Sequence, residues 1–154
     1  MGIIFNNEWK EHLVRVTRRS YRIMSVQLNK GNTNGNIICA YGIQAGCEEQ
    51  EKEEFRSALD CEMFEISVNE KCFIGGDLNG HIGRERAGIE RLYGGLGMGI
   101  RNSEGNSVID FVVAWNLAVI NTFLIKTEDQ YVIYSRGGKE NLIDFMLCRR
   151  NQLK

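Results

Sequence analysis

A chain of 154 residues, 43% hydrophobic and 25% charged, has the composition of an ordinary globular protein and is read as one domain over residues 1–154. Its apolar runs are short and interrupted, which excludes a membrane span of roughly 18 or more consecutive apolar residues. A formal net charge of −1 neither requires nor excludes a polyanionic partner, since overall balance can hide a local basic face.

The first ten residues, Met1 to Lys10, lack the basic, apolar and small-residue order of a secretory leader. The five cysteines, Cys39, Cys47, Cys61, Cys72 and Cys148, are odd in number and contain no Cys-x-x-Cys pair. Buried free thiols in a reducing compartment explain them more simply than a disulfide framework does. A nuclear or cytoplasmic, non-secreted protein is expected.

In chain order, imperfect alternation predicts strands over Leu13–Thr17 and Tyr21–Leu28. Turn chemistry follows in Lys30–Gly35, with Asn34-Gly35 as the turn signal, before a strand at Ile37–Tyr41. The period changes between Glu48 and Ile66. Phe55, Ala58, Leu59, Met63 and Ile66 recur at three and four, and Glu48, Glu49 and Glu51 crowd the first turn, which predicts an amphipathic helix. A strand at Lys71–Gly75 leads into Asp77, and the glycine-rich stretch from Gly80 to Arg101 reads as a long loop. A second helix is expected from Asn102 or Ser103, burying Val108, Phe111, Val112 and Trp115. Three strands complete the pattern, at Leu117–Thr122, Tyr131–Ser135 and Leu142–Leu147. Strands outnumber helices, and the helices fall between strand groups, which suits a layered α/β or α+β architecture.

The candidate chemistry centres on Phe73-Ile-Gly-Gly-Asp77-Leu-Asn79-Gly-His81. In extended chain Asp77 and Asn79 point the same way, and a carboxylate beside an amide suits the positioning of water, metal or phosphate. The same tetrapeptide also reads as a turn whose Asp and Asn bond their own backbone. His81 and His12 join no catalytic grouping. Asp144, between Ile143 and Phe145, is read as a charge inside an apolar strand that needs a partner. The arginine clusters at 15, 18, 19 and 22 and at 84, 86, 91 and 101 serve equally as solvated faces or phosphate contacts.

Taken in order, Tyr41 at a strand end, Gly76-Asp77-Leu78-Asn79 and Leu142-Ile143-Asp144-Phe145 resemble the endonuclease/exonuclease/phosphatase superfamily of DNase-like phosphodiesterases. Ser20-Tyr-Arg-Ile-Met-Ser, Ala40-Tyr-Gly-Ile-Gln-Ala-Gly-Cys47, Arg101-Asn-Ser-Glu-Gly105 and Asn121-Thr-Phe123 are similar to the endonuclease domain of RTE-type non-LTR retrotransposons. The resemblance implies an α+β, four-layer sandwich of two facing mixed sheets flanked by helices, incomplete here for want of terminal strands. It also implies Mg²⁺-assisted hydrolysis of DNA. Asp77 would orient or deprotonate the attacking water, Asn79 would hold water and phosphate, Tyr41 would contact the scissile phosphate, and Asp144 would orient a histidine. The family's metal-binding Glu and its Ser-Asp-His find no counterpart in these 154 residues, which implies a weakly active or inactive fragment. A non-catalytic nucleic-acid-binding module, and a phosphatase for a small phosphate ester, are the alternative readings.

Overall fold

The computed structural model describes residues 1–95, 97, 99–123, 134–136, 139–141 and 143–153. A one-turn helix, α1 (Asn7–Lys10), is capped by Asn6, whose side chain accepts from the Trp9 N–H at 3.1 Å. It leads into a three-strand antiparallel meander, β1 (Leu13–Arg18), β2 (Ile23–Lys30) and β3 (Thr33–Ala40). The turn between β2 and β3 is Gly31-Asn32, with Lys30 opposite Thr33 and Gly31 at φ +65°. Asn34-Gly35, the expected turn, lies inside β3 instead. The register that places Ile38 in the core also aligns Asn36 with Glu70, whose Oε2 accepts from Nδ2 at 2.9 Å.

Helix α2 (Glu49–Phe64) begins with a capping box, in which Glu48 and Glu51 satisfy each other's backbone N–H groups. It bridges β3 to β4 (Lys71–Asp77), which pair in parallel and therefore need such a crossover. Helix α3 (Ser103–Ala114) starts where the sequence places it, with the Asn102 side chain accepting from the Gly105 N–H at 2.8 Å. The strand expected at Leu117–Thr122 is shorter: β5 (Leu117–Val119) gives way to a 3₁₀ turn over Ile120–Thr122. Of the strand expected at Tyr131–Ser135, residues 131–133 lie outside the described residues, and the described part belongs to the two-strand ribbon β6 (Tyr134–Arg136) and β7 (Lys139–Asn141). Strand β8 (Asp144–Arg149) begins two residues later than expected, and Leu142 lies outside the described residues.

The large sheet is mixed and six-stranded, in the order β1-β2-β3-β4-β8-β5. This is the α+β class expected. The sheet's register lines up Ser25, Ile38, Ile74, Leu147 and Val119 across one face. That face packs against α2 and α3 through Leu59, Met63, Val108 and Val112. The opposite face carries a second row across all six strands: Val16, Val26, Ile37, Phe73, Cys148 and Ala118. A sheet apolar on both faces belongs in the interior of a layered structure. Yet Phe73 and Met146 on this second face are 39% and 56% exposed, and one large sheet is found among the described residues.

The expected loop from Gly80 to Arg101 contains no helix or strand among the described residues but is far from loosely held. Ile82 and Tyr93 are fully buried, Tyr93 bridges to Val119, and its hydroxyl donates to the Gly83 carbonyl. Burial pushes the Tyr93 phenol up to about 12. The second arginine cluster stitches this segment: Arg84, Arg86 and Arg101 donate to the carbonyls of Gly97, Gly94 and Ile82.

Between sheet and helix lies a buried charge. Glu62 on α2 is 2% exposed, accepts from Arg19 Nε at 2.8 Å, and also takes the Ser25 hydroxyl. Removing one partner of a buried pair costs about 3–5 kcal/mol, less where that partner is itself partly solvated, as Arg19 is. Arg19→Ala is expected to lower the unfolding free energy by about 2–3 kcal/mol. Arg15→Ala, whose 3.8 Å contact with Glu65 is exposed on both sides, is expected to change it by less than about 0.5 kcal/mol. Urea denaturation of the two variants measures the contrast, and equal losses would refute it.

Candidate functional site

The site forms where β3, β4 and β8 end together. β4 is the middle strand, parallel to β3 and antiparallel to β8, so the residues following Ala40, the end of β4 and the start of β8 converge on one edge of the sheet. Asp77 is the last residue of β4 and lies opposite Asp144, the first of β8. The ladder extends one step further, with the Leu78 N–H donating to the Ile143 carbonyl at 3.0 Å. Across the other seam, the Gly42 N–H donates to the Asp77 carbonyl at 2.7 Å.

Asp77 and Asn79 do not share a strand face. Asn79 leaves the strand with φ +53°, a left-handed conformation that Asn tolerates better than most residues. Its N–H donates to Asp77 Oδ1 at 2.8 Å, and its side-chain Nδ2 donates to the Gly42 carbonyl at 2.9 Å. The turn reading and the site reading of this motif are therefore the same structure. The Asx-type turn aims the Asn79 amide across the seam, and the unshared carboxylate oxygen of Asp77 makes no hydrogen bond among the described residues. Two glycines permit the approach. At Gly76, φ +147°, a Cβ would overlap the Ala40 carbonyl, and at Gly42 it would lie 2.8 Å from the Leu78 Cα.

Tyr41 follows β3 directly and is 39% exposed at the same edge. Asp144 stands at a strand end and is half-buried, not enclosed within an apolar strand as the sequence suggests. Its carbonyl accepts from Asn121 Nδ2 at 3.0 Å, and no ion pair to its carboxylate is found among the described residues. All four sequence-derived candidates thus meet at one edge. His81 is held there by its backbone, which exchanges hydrogen bonds of 2.9 and 3.1 Å with Asn102 at the start of α3.

Arg22 has no role of its own in the sequence reading, where it belongs to a charge run and to the phrase Ser20-Tyr-Arg-Ile-Met-Ser. Its guanidinium carbon lies 5.0 Å from the Tyr21 ring centre and 5.1 Å from that of Tyr41, while Nη1 donates to the Gly42 carbonyl at 3.2 Å. The signal available in the sequence was an arginine beside a tyrosine at the start of the strand that pairs with the Tyr41 strand.

Oxygen ligands are what Mg²⁺ requires, and Asp77 and Asp144 supply two carboxylates. Among the described residues, however, no group of three or more His, Cys, Asp or Glu side chains is placed to hold a metal ion. These residues alone do not form a metal cage.

No family model matches the chain. The craniofacial development protein 2 of Bos taurus is 26% identical over 153 residues, 97% of this chain but 25% of its own length. The chain therefore spans about a quarter of that relative. An endonuclease/exonuclease/phosphatase family protein from Leptotrichia buccalis overlays 82% of this chain and 41% of its own, at 11% identity and a TM-score of 0.48. The endonuclease domain of TRAS1, a telomere-specific non-LTR retrotransposon, overlays 86% of this chain and 52% of its own, at 14% identity and a TM-score of 0.57. The chain shares the α+β fold of that endonuclease domain. Within that fold, Asp77 occupies the end of a central strand, where a layered sheet presents reactive groups.

Burial pushes the Asp77 carboxyl above its ordinary value, with the neighbouring charge of Asp144 adding to the effect and the Asn79 N–H opposing it. A raised folded-state pKa means that the native protein binds this proton more tightly than the unfolded chain does. Stability linked to Asp77 is thus fully present below the unfolded value of 3.8 and lost as pH rises through the folded value. Asp77→Asn, which keeps the acceptor for the Asn79 N–H, is expected to melt at a higher temperature than the parent at pH 7. The difference should vanish below about pH 4. Thermal melts across that range test it, and a lower melting temperature for the variant at pH 7 would contradict it.

Proposed function

We propose that this chain is a retroelement-derived nuclease domain that binds DNA and carries the Asp–Asn–Tyr half of a phosphodiester-hydrolysing site. The observation that carries the reading is the convergence of Asp77, Asn79 and Tyr41 on the Gly42 peptide at one strand edge. Phosphoryl hydrolysis needs a placed nucleophile and donors for the charge that develops on the phosphoryl oxygens.

Each residue supports a definite role. Asp77, partly desolvated, has a carboxylate oxygen available to orient a water and accept its proton. Asn79 is fixed by two hydrogen bonds, so it is preorganised beside that water. Tyr41 presents a phenol at the rim, suited to donate to a phosphoryl oxygen. Asp144 adds negative charge next to Asp77 and raises its proton affinity. The family's metal-binding Glu and its histidine match no residue of this chain, so cleavage by these 154 residues alone is slow, and Mg²⁺ is the metal that the resemblance implies.

The test uses purified protein, supercoiled plasmid and Mg²⁺. DNA binding that weakens steeply as salt rises is expected, because phosphate contacts release counterions. Nicking is expected to be slow, to stop when EDTA removes the metal, and to fall at least about 100-fold in Asp77→Asn, whose DNA affinity is retained. Binding that is absent or insensitive to salt overturns the reading. So does nicking by Asp77→Asn at the parent rate.

A further inference from the structure

Tyr21, Arg22 and Tyr41 form a stacked unit that neither the fold nor the Asp77 chemistry accounts for. Arg22 and Tyr41 extend the β2–β3 ladder by one step, the Tyr41 N–H donating to the Arg22 carbonyl at 2.9 Å. The guanidinium lies between the two tyrosine rings, with its carbon 5.0 and 5.1 Å from their centres. Its Nη1 is bound to the Gly42 carbonyl at 3.2 Å, and a longer 3.5 Å contact reaches that of Tyr41. Its Nε is buried and has no hydrogen-bond partner among the described residues. A cation desolvated in this way interacts strongly with aromatic faces. The guanidinium thus lies against two rings while its Nη1 is engaged on backbone carbonyls.

The consequence falls on Tyr21. It is 72% exposed, so with one face against Arg22 its other face is open to solvent. It is also ordered in advance by the cation behind it, which reduces the entropy lost when something stacks on it. The unit is joined to the candidate site by one residue, because Gly42 takes Arg22 on its carbonyl and gives its N–H to Asp77. An open, rigid aromatic face one step from a phosphodiester site suits a nucleobase. The base must be unpaired, since a duplex hides its base faces within the stack.

We infer that Tyr21, seated on Arg22 and Tyr41, is a stacking platform for an unpaired nucleobase next to the phosphodiester held at Asp77. The inference rests on the nuclease reading above, but the two fail in different ways. Fluorescence anisotropy with a labelled oligothymidylate, and with an abasic oligonucleotide of equal length, separates stacking from backbone attraction at one fixed salt concentration. The parent protein should bind the oligothymidylate about tenfold more tightly than the abasic strand. Tyr21→Ala should remove that preference while leaving abasic binding unchanged, and Tyr21→Phe should keep it, because the ring and not the hydroxyl stacks. Equal binding of both strands by the parent protein overturns the platform and leaves the nuclease reading standing. A preference retained in Tyr21→Ala likewise overturns the platform, and so does loss of both affinities together. Failure of the parent to bind either strand overturns the platform, and the plasmid assay decides the nuclease reading separately.

Discussion

The Gly42 peptide is the point through which the parts of the edge are joined. Its N–H is given to the end of β4 and its carbonyl is shared by Asn79 and Arg22, so two segments distant in sequence, Arg22 and Asp77–Asn79, are fixed to the backbone of one residue. Such closeness is open only to a residue without a side chain, because a Cβ there would press into the Leu78 backbone. The position of Asp77 relative to Tyr41 follows from this backbone contact. A site built on main-chain hydrogen bonds between strand ends has little freedom to drift, which is the condition catalytic geometry imposes.

The molecule also separates two uses of burial. Glu62 is charged, enclosed and fully partnered by Arg19 and Ser25, so it fastens β2 to α2. Asp77 is partly enclosed, receives a single N–H, and faces another carboxylate, so its ionisation works against the fold. A carboxylate kept at an energetic disadvantage is characteristic of positions maintained for chemistry. The contrast lies within one sheet and is set by what each acid is given to bond.

Local chemistry made much of this legible from the sequence. The acidic first turn of α2, the Asn102 cap of α3 and the apolar run into Asp77 each carry their own signal, and each element appears where that signal places it. What the sequence concealed depends on partners far along the chain. Asn34-Gly35 has stronger turn chemistry than Gly31-Asn32, but the placing of Ile38 in the core and the bond from Asn36 to Glu70 decide the register. The arginine runs look uniform as text, yet Arg19 closes an ion pair, Arg22 supports two rings, and Arg84, Arg86 and Arg101 take loop carbonyls. Nothing periodic announces that Tyr93 is buried, because the loop is folded against β5 rather than wound into an element. Asp77 and Asn79 were recognisable as a pair, but the left-handed turn that relates them replaces the extended geometry that their spacing suggested.

The row from Val16 to Ala118 on the second face of the sheet has a bearing on the site itself. Asp77 ends the strand that displays Phe73 and Gly75 on that face, with Met146 beside them on β8. Any apolar layer that settles there, at the roughly 10 Å separation of stacked sheets, would end beside Asp77, which follows Phe73 and Gly75 on the same face of the strand. It would exclude water from one side of Asp77 and alter the medium in which that proton is held. The proton affinity of Asp77 would then depend on what covers that face as well as on the edge residues beside it.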